Sequence, residues 1–248
     1  MQPARISELL QPFLSPTPNP CHSSPGQRPG EELAVLSAAQ LHHISTYIDI
    51  LQRWNARINL TAIRNEEEIV TRHFGESLFA ARHLFPTSSL APLEFEQPAS
   101  ACSALGTRYS GLLADLGSGA GFPGIPIKLW APHISFTLIE PNHKKAAFLR
   151  EVARSLTLTD INIQNTRAET LPAGAFDVVT LRAVERFAHV LPIAARLLAP
   201  SGRLALLISS SQLAQARSTL PDLTWQLPIQ VPHSKSRLLL IGENHKDK

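Results

Sequence analysis

The 248-residue chain reads as an α/β protein: a mostly parallel sheet whose last strand is antiparallel, preceded by a small N-terminal helical lobe. Three observations predict this. From Gly111 onward, short apolar runs alternate with amphipathic stretches of helical period. The first of these runs, LLADL, feeds directly into a glycine-rich turn followed by a helix pattern. Before Gly111, apolar residues recur at three- and four-residue steps, the mark of helices with one buried face.

The elements follow in order. Residues 1–30 are a Pro/Ser-rich N-terminal extension, and the part reading QPFLSPTPNPCHSSPGQRPG (11–30) has little to bury and suits a flexible tether. Residues 31–85 form the helical lobe. Leu33, Leu36, Leu41, Ile44, Ile48, Leu51 and Trp54 line one helix face, with Ser37 as N-cap. A second helix runs from about Glu66 to Leu84, capped by Asn65 and carrying acid in its first turn. Residues 86–110 mix Pro, Ser, Ala and Thr without a period and read as a linker or insertion. The remaining 111–248 make the sheet domain. Its strands are placed at 112–116, 135–140, 161–165, 176–182, 203–209 and 236–242, with helices at 125–130, 144–156 and 190–198. No strong helical period separates the last two strands, which therefore suit an antiparallel pair.

Composition narrows the function. Hydrophobic residues make up 44% and charged residues 17%, enough for a core and too apolar for a disordered chain. No apolar run reaches the roughly 18 residues that a membrane span needs, so no membrane association is expected. The N-terminus lacks the apolar stretch of a secretory signal. Cys21 and Cys102 lie in loop-like stretches, which excludes a disulfide framework and a cysteine zinc site. A reducing cytoplasm is the expected home, and no metal is expected. The net charge of +3 is mildly basic, compatible with RNA but no proof of it.

The chemistry points to LLADLGSGAGFPG, residues 112–124. Ligands of open α/β sheets sit at the carboxyl ends of strands, and glycines there let the backbone turn and approach a ligand closely. Two cofactor classes use such a loop. Gly119, Gly121 and Gly124 fit the dinucleotide pattern G-x-G-x-x-G; Asp115, Gly117, Gly119 and Gly121 fit D-x-G-x-G-x-G, which suits S-adenosylmethionine. Glu140, ending the second strand, serves either as a ribose-binding carboxylate. Three points favour S-adenosylmethionine. Asp115 stands at the strand end, facing the cofactor's cationic end. Ala168-Glu169 follows the third strand, where an adenine-binding loop belongs. No hydride-transfer arrangement is evident.

The acceptor is narrowed by what is missing. A cytosine-C5 enzyme needs a catalytic Pro-Cys, and Pro20-Cys21 lies in the tether. An exocyclic-amine enzyme shows Asn/Asp-Pro-Pro-aromatic after the fourth strand, where this chain has Thr180-Leu181-Arg182-Ala183. Arg182 either holds the cofactor, meets a guanine or phosphate of the substrate, or forms a structural salt bridge.

Five blocks together resemble the RsmG (GidB) family of small-subunit ribosomal RNA guanine-N7 methyltransferases: residues 51–78, 112–129, 138–152, 166–171 and 176–184. The Trp-Asn-x-x-x-Asn-Leu-Thr and Gly-Phe-Pro-Gly-Ile-Pro runs are the specific ones. The resemblance implies a Rossmann-like S-adenosylmethionine-dependent fold, cofactor contacts from Gly117, Phe122, Ala168, Glu169 and Arg182, and a guanine N7 target in the decoding-region loop of 16S rRNA. The small ribosomal subunit is then the partner, and a monomer is expected. Substrate contacts fall to Arg72, His73 and Asn59, with Arg182 near the reacting centre. Asn59 suits organising the turn before Thr61 better than touching RNA. Arg53, Arg57, Arg64 and Arg72 either meet phosphates or pair with nearby acids; Lys144, Lys145, Arg150 and Arg154 form a second basic group.

Two departures stand out. Glu76-Ser77-Leu78 replaces the family's usual Asp-Ser-Leu, and Ser209-Ser210 stands where Lys-Gly is frequent. They keep open a second reading, a catalytically silent RNA-binding or ribosome-assembly protein of the same fold. A nicotinamide-dependent oxidoreductase, resting on Gly119, Gly121 and Gly124, is the third.

Overall fold

The computed structural model describes residues 1–15, 35–86, 111–184 and 186–245. Most of the Pro-rich stretch, nearly all of the 86–110 segment, and both cysteines lie outside the described residues. Among the described residues, eight strands form one sheet: β1 (Leu112–Leu116), β2 (Ser135–Ile139), β3 (Ile161–Gln164), β4 (Phe176–Arg182), β5 (Leu198–Ser209), β6 (Leu223–Trp225), β7 (Ile229–Gln230) and β8 (Arg237–Asn244). Their order is β3-β2-β1-β4-β5-β8-β6, with β7 also paired to β8. The first five strands run parallel to one another, and β8 runs antiparallel to β5, β6 and β7.

Strand alternation divides the core. Leu113, Phe136, Leu138 and Val178 face one apolar cluster; Ala114, Leu116, Val179 and Leu181 face another. The first cluster takes in α1 (Pro3–Leu14), α2 (Ala38–Asn55), α4 (Glu76–Leu84), α5 (Gly124–Trp130) and α6 (His143–Ser155). The N-terminal helices therefore share one continuous core with a face of the sheet. The second cluster is covered by α7 (Phe187–Leu197) and α8 (Leu213–Thr219).

Helix α1 is a correction. The sequence places no helix in the 1–30 extension and predicts a flexible tether from residue 11, yet Ile6, Leu10, Phe13 and Leu14 bury one face of a helix over Pro3–Leu14. Pro3 suits the first helical turn, and Pro12 lies in the last. The Phe13 ring lies on Gly75, where any Cβ would come within 2.6 Å of it. The close packing of α1 on the 69–75 segment thus depends on Gly75 lacking a side chain.

Ser37 and Asn65 cap helices as expected, Ser37 in a full capping box with Gln40. The 66–84 helix is not uniform. A short α3 (Glu66–Glu68) passes into a π-helical segment, Ile69–Gly75, before α4. Such a widened turn re-aims side chains and is frequent at functional sites; here it carries His73 and leads into Glu76. The region 210–235 holds α8, β6 and β7, none of which sequence reading placed. Among the residues of α8 only Ala216 is buried, too little to give a period.

Candidate functional site

The loop after β1 rises at the carboxyl edge of the sheet. The N–H groups of Gly117 and Ser118 donate to the Ile139 carbonyl of β2, at 2.9 and 3.2 Å. Gly119 N–H donates to Glu140 Oε2, and Asn142 N–H to Glu140 Oε1, both at 2.8 Å. The Glu140 carboxylate therefore braces the glycine loop against the start of α6 and keeps lone pairs in reserve. Gly119 and Gly121 both have positive φ, +54° and +84°. Their surroundings differ. A Cβ on Gly119 would meet only the Gly117 carbonyl, at 3.6 Å, so this glycine borders open space. A Cβ on Gly121 would collide with the Tyr47 hydroxyl and approach Ile125 Cδ1 within 2.8 Å. Gly119 thus borders an open cradle, while Gly121 admits α2.

Asp115 does not face that cradle. It is fully buried, with Oδ1 accepting from the Thr180 hydroxyl at 2.8 Å and Oδ2 from Gly124 N–H at 3.3 Å. Parallel register sets Asp115 opposite Thr180. Burial pushes its carboxyl up to about 6, against the hydrogen bonds from Thr180 and Gly124. Phe122 is also buried. Its ring is sandwiched between Tyr47 (centroids 5.3 Å apart, 6° between planes) and His73 (4.6 Å, 16°). It joins the helical lobe to the cofactor loop and presents little free surface. Ala168 and Glu169 lie in a single 3-10 turn after β3, where both carbonyls accept from Arg196 at 3.2 Å, and Glu169 is exposed.

At the end of β4, Arg182 is enclosed by the π-helical segment. Nη2 donates to the Arg72 carbonyl (2.7 Å) and to Glu76 Oε2 (3.0 Å), and Nε reaches the same oxygen at 3.3 Å. Nη1 donates to His73 Nδ1 at 3.1 Å. Four of its five N–H bonds are used, leaving one on Nη1. Because His73 Nδ1 accepts, Nε2 carries the proton and donates to the Thr61 hydroxyl at 2.8 Å. Burial, and then the charges of Arg182, Arg72 and Arg237, lower the His73 pKa to about 3, so the ring is neutral. Glu76 also receives Arg237 of β8, Nε to Oε1 at 3.2 Å. Arg182 thus forms the salt bridge, and among the described residues one Nη1 N–H has no partner.

The turn before Thr61 is organised by Asn55, whose Oδ1 accepts from Leu60 and Thr61 N–H and whose Nδ2 donates to the Thr61 carbonyl. That corrects the assignment to Asn59, which is exposed. Three of the acids near Arg53, Arg57, Arg64 and Arg72 have other partners: Glu66 accepts from Gln52, Glu67 pairs with Arg5, and Glu76 with Arg182 and Arg237. Sequence reading missed Tyr47, Asn55, Thr180 and Arg237. Only the β1–β4 register in the structure brings Thr180 opposite Asp115.

A parallel sheet in this order, with a glycine loop after β1 and an acid after β2, defines a Rossmann-like fold of the methyltransferase class. The ribosomal protein L11 methylase of Lactobacillus delbrueckii subsp. bulgaricus shares that fold. It aligns with a TM-score of 0.52 and 17% identity over 70% of this chain and 79% of its own. The sequence profile of rRNA small subunit methyltransferase G matches residues 40–91 and 98–237. The ribosomal RNA small subunit methyltransferase G of Halorhodospira halophila is 37% identical over 77% of this chain and 80% of its own length. That of Stenotrophomonas maltophilia (strain K279a) is 35% identical over 85% and 86%. The chain belongs to the rRNA small subunit methyltransferase G family. Among the described residues, no helix is long and apolar enough to cross a membrane, and no group of three or more His, Cys, Asp or Glu could hold a metal.

Proposed function

We propose that this chain transfers a methyl group from S-adenosylmethionine to N7 of a guanine in the decoding-region loop of 16S rRNA, acting as a cytoplasmic monomer without a metal. Family membership supports the reaction. The observation that carries the site is Glu140 braced on Gly119 beside an open glycine cradle. The donor set fits the cofactor: a carboxylate with lone pairs in reserve suits a ribose diol, and Gly119 lets the backbone come close. Bound there, S-adenosylmethionine supplies an electrophilic methyl group on a sulfonium centre.

The chain's own task is to bind and align. Guanine N7 offers a lone pair and has no proton to lose, so no general base is needed. His73, neutral and hydrogen-bonded at both nitrogens, is a fixed wall. Arg182, held by four hydrogen bonds to Glu76, His73 and the Arg72 carbonyl, has one N–H left at the carboxyl edge of the sheet, where a guanine acceptor would be oriented. Asp115 acts through Thr180 and Gly124, holding the loop and β4 together. Ala168 and Glu169 suit the adenine side, beyond β2.

The departures that motivated a silent protein are absorbed. Glu76 reaches two arginines, and Ser209 forms a capping box with Gln212. Family membership does not favour the nicotinamide reading. The test uses a small-subunit RNA transcript made with 7-deazaguanosine in place of guanosine. It should accept no methyl group while the guanosine transcript does; equal acceptance by both would refute N7 as the target.

A further inference from the structure

Arg182 and Arg237 share the single carboxylate of Glu76. Arg182 Nη2 lies 3.0 Å from Oε2; Arg237 Nε lies 3.2 Å from Oε1 and its Nη1 3.2 Å from Oε2. The side chains of Arg182 and Glu76 are 7% and 4% exposed, that of Arg237 31%. Two guanidiniums against one carboxylate leave an excess positive charge in a largely buried place. Such a charge is costly without an anion.

A cavity of about 360 Å³ opens beside this cluster, between the π-helical segment and the turn from β7 to β8. Thr71, Arg72, Glu76, Ser234, Ser236 and Arg237 line it. Phe13 and His233, rings 5.8 Å apart, form another wall. Ser234 Oγ accepts from Ser236 N–H (3.3 Å) and Arg237 N–H (3.0 Å), so its own O–H remains to donate. Arg237 keeps both Nη2 protons. The Arg72 side chain is exposed, and its backbone carbonyl is what Arg182 holds. Glu68 also borders the cavity, but it is exposed and so well solvated.

We propose that this cavity is a phosphodiester subsite for the substrate RNA, taking one backbone phosphate between Arg237, Arg72 and the Ser234 hydroxyl. The inference rests on the RNA methyltransferase reading. The other anion at hand, the carboxylate of S-adenosylmethionine, is disfavoured by sheet order. Glu140 and the glycine loop belong to β2 and β1, whereas Arg237 starts β8, three strands beyond β1. At about 4.8 Å per strand that is roughly 14 Å away. The phosphate would also be linked to Arg182, because both contacts pass through Glu76.

The test is equilibrium binding of the full chain to a small-subunit RNA transcript across a range of potassium chloride concentrations, with S-adenosylmethionine binding measured in parallel. For Arg237→Gln we expect RNA affinity to fall about tenfold, and the slope of log K against log salt to lose about one phosphate contact, with cofactor affinity unchanged. Arg72→Gln, at an exposed side chain, should lower the slope likewise and serves if Arg237→Gln does not fold. An unchanged slope in the folded variants overturns the subsite, even if turnover falls, because Arg237 then acts only through Glu76. Loss of cofactor binding in step with RNA binding overturns it too, in favour of the cofactor carboxylate. No salt-dependent RNA binding by the unaltered protein would remove both the subsite and the RNA methyltransferase reading.

Discussion

Arg182 and Glu76 show how one residue pair joins the two halves of the chain, 106 residues apart in sequence. Arg182→Ala would strip Glu76 of its better-buried partner and leave His73 Nδ1 and the Arg72 carbonyl unpaired. A loss of about 3 to 5 kcal/mol is expected in urea unfolding, the magnitude for breaking a buried pair from one side. Methyl transfer should fall at least 100-fold in variant protein that is still folded. Arg182→Lys should recover little, since a compact ammonium does not reproduce the planar fork that meets Glu76, His73 and the Arg72 carbonyl together. Wild-type transfer in folded Arg182→Ala protein would contradict the role given to it. Asp115 makes a prediction about pH. Its folded pKa, about 6, lies above the unfolded value of 3.8, so the native state holds the proton more tightly. Its contribution to stability is fully present below the unfolded pKa and is lost as pH rises from about 4 to about 6. His73 has the opposite sign: lowered from 6.5 to about 3, it favours the fold above pH 6.5 and loses that contribution as pH falls. In the unaltered protein the two trends oppose each other between about pH 4 and 6. Asp115→Asn, which can still accept from Gly124 and donate to Thr180, should remove the Asp115 trend alone. Urea unfolding should then show stability rising with pH through that window; a flat profile like that of the unaltered protein would contradict the buried carboxyl.

At the scale of elements, the glycine loop separates folding from binding within one motif. Gly119→Ala should leave the fold standing, at a cost of about 1 to 2 kcal/mol for a side chain in left-handed backbone, while sharply weakening cofactor binding. Gly121→Ala should fail in the fold itself, because Tyr47, Ile125 and Leu149 surround its Cβ position. Thermal unfolding and calorimetric titration of the two variants separate these outcomes; an undiminished cofactor affinity in Gly119→Ala would remove the cradle. Sequence reading found β1 and β4 at their observed limits, since buried parallel strands are short apolar runs. It singled out Glu140 and Arg182, which stand just after β2 and at the end of β4. It missed α1 although Ile6, Leu10, Phe13 and Leu14 have helical spacing, because the prolines after residue 11 set the local composition. The π-helical segment left no mark, since one widened turn barely disturbs a 3.6-residue period. Tyr47 and Arg237 were out of reach for another reason. Their partners lie 73 and 161 residues away, and nothing local in the sequence distinguishes them.

Across the whole molecule, the sheet divides the work. Strands β1 to β3 carry the cradle, the brace of Glu140 and the 3-10 turn after β3, while β4, β5 and β8 carry Arg182, the capped Ser209 and Arg237. The N-terminal helices close over the join, through the Tyr47–Phe122–His73 stack and the hydrogen bonds from His73 and Glu76 to Arg182. Cofactor and RNA are thereby expected on neighbouring halves of one edge, with the acceptor guanine between them. The most direct measurement is methyl transfer from labelled S-adenosylmethionine to small ribosomal subunits from a strain lacking this enzyme, followed by mass spectrometry of the digested RNA. The predicted result is label in 7-methylguanosine at a single position of the decoding-region loop. Label in another nucleoside, or none while S-adenosylmethionine still binds, would contradict the assignment.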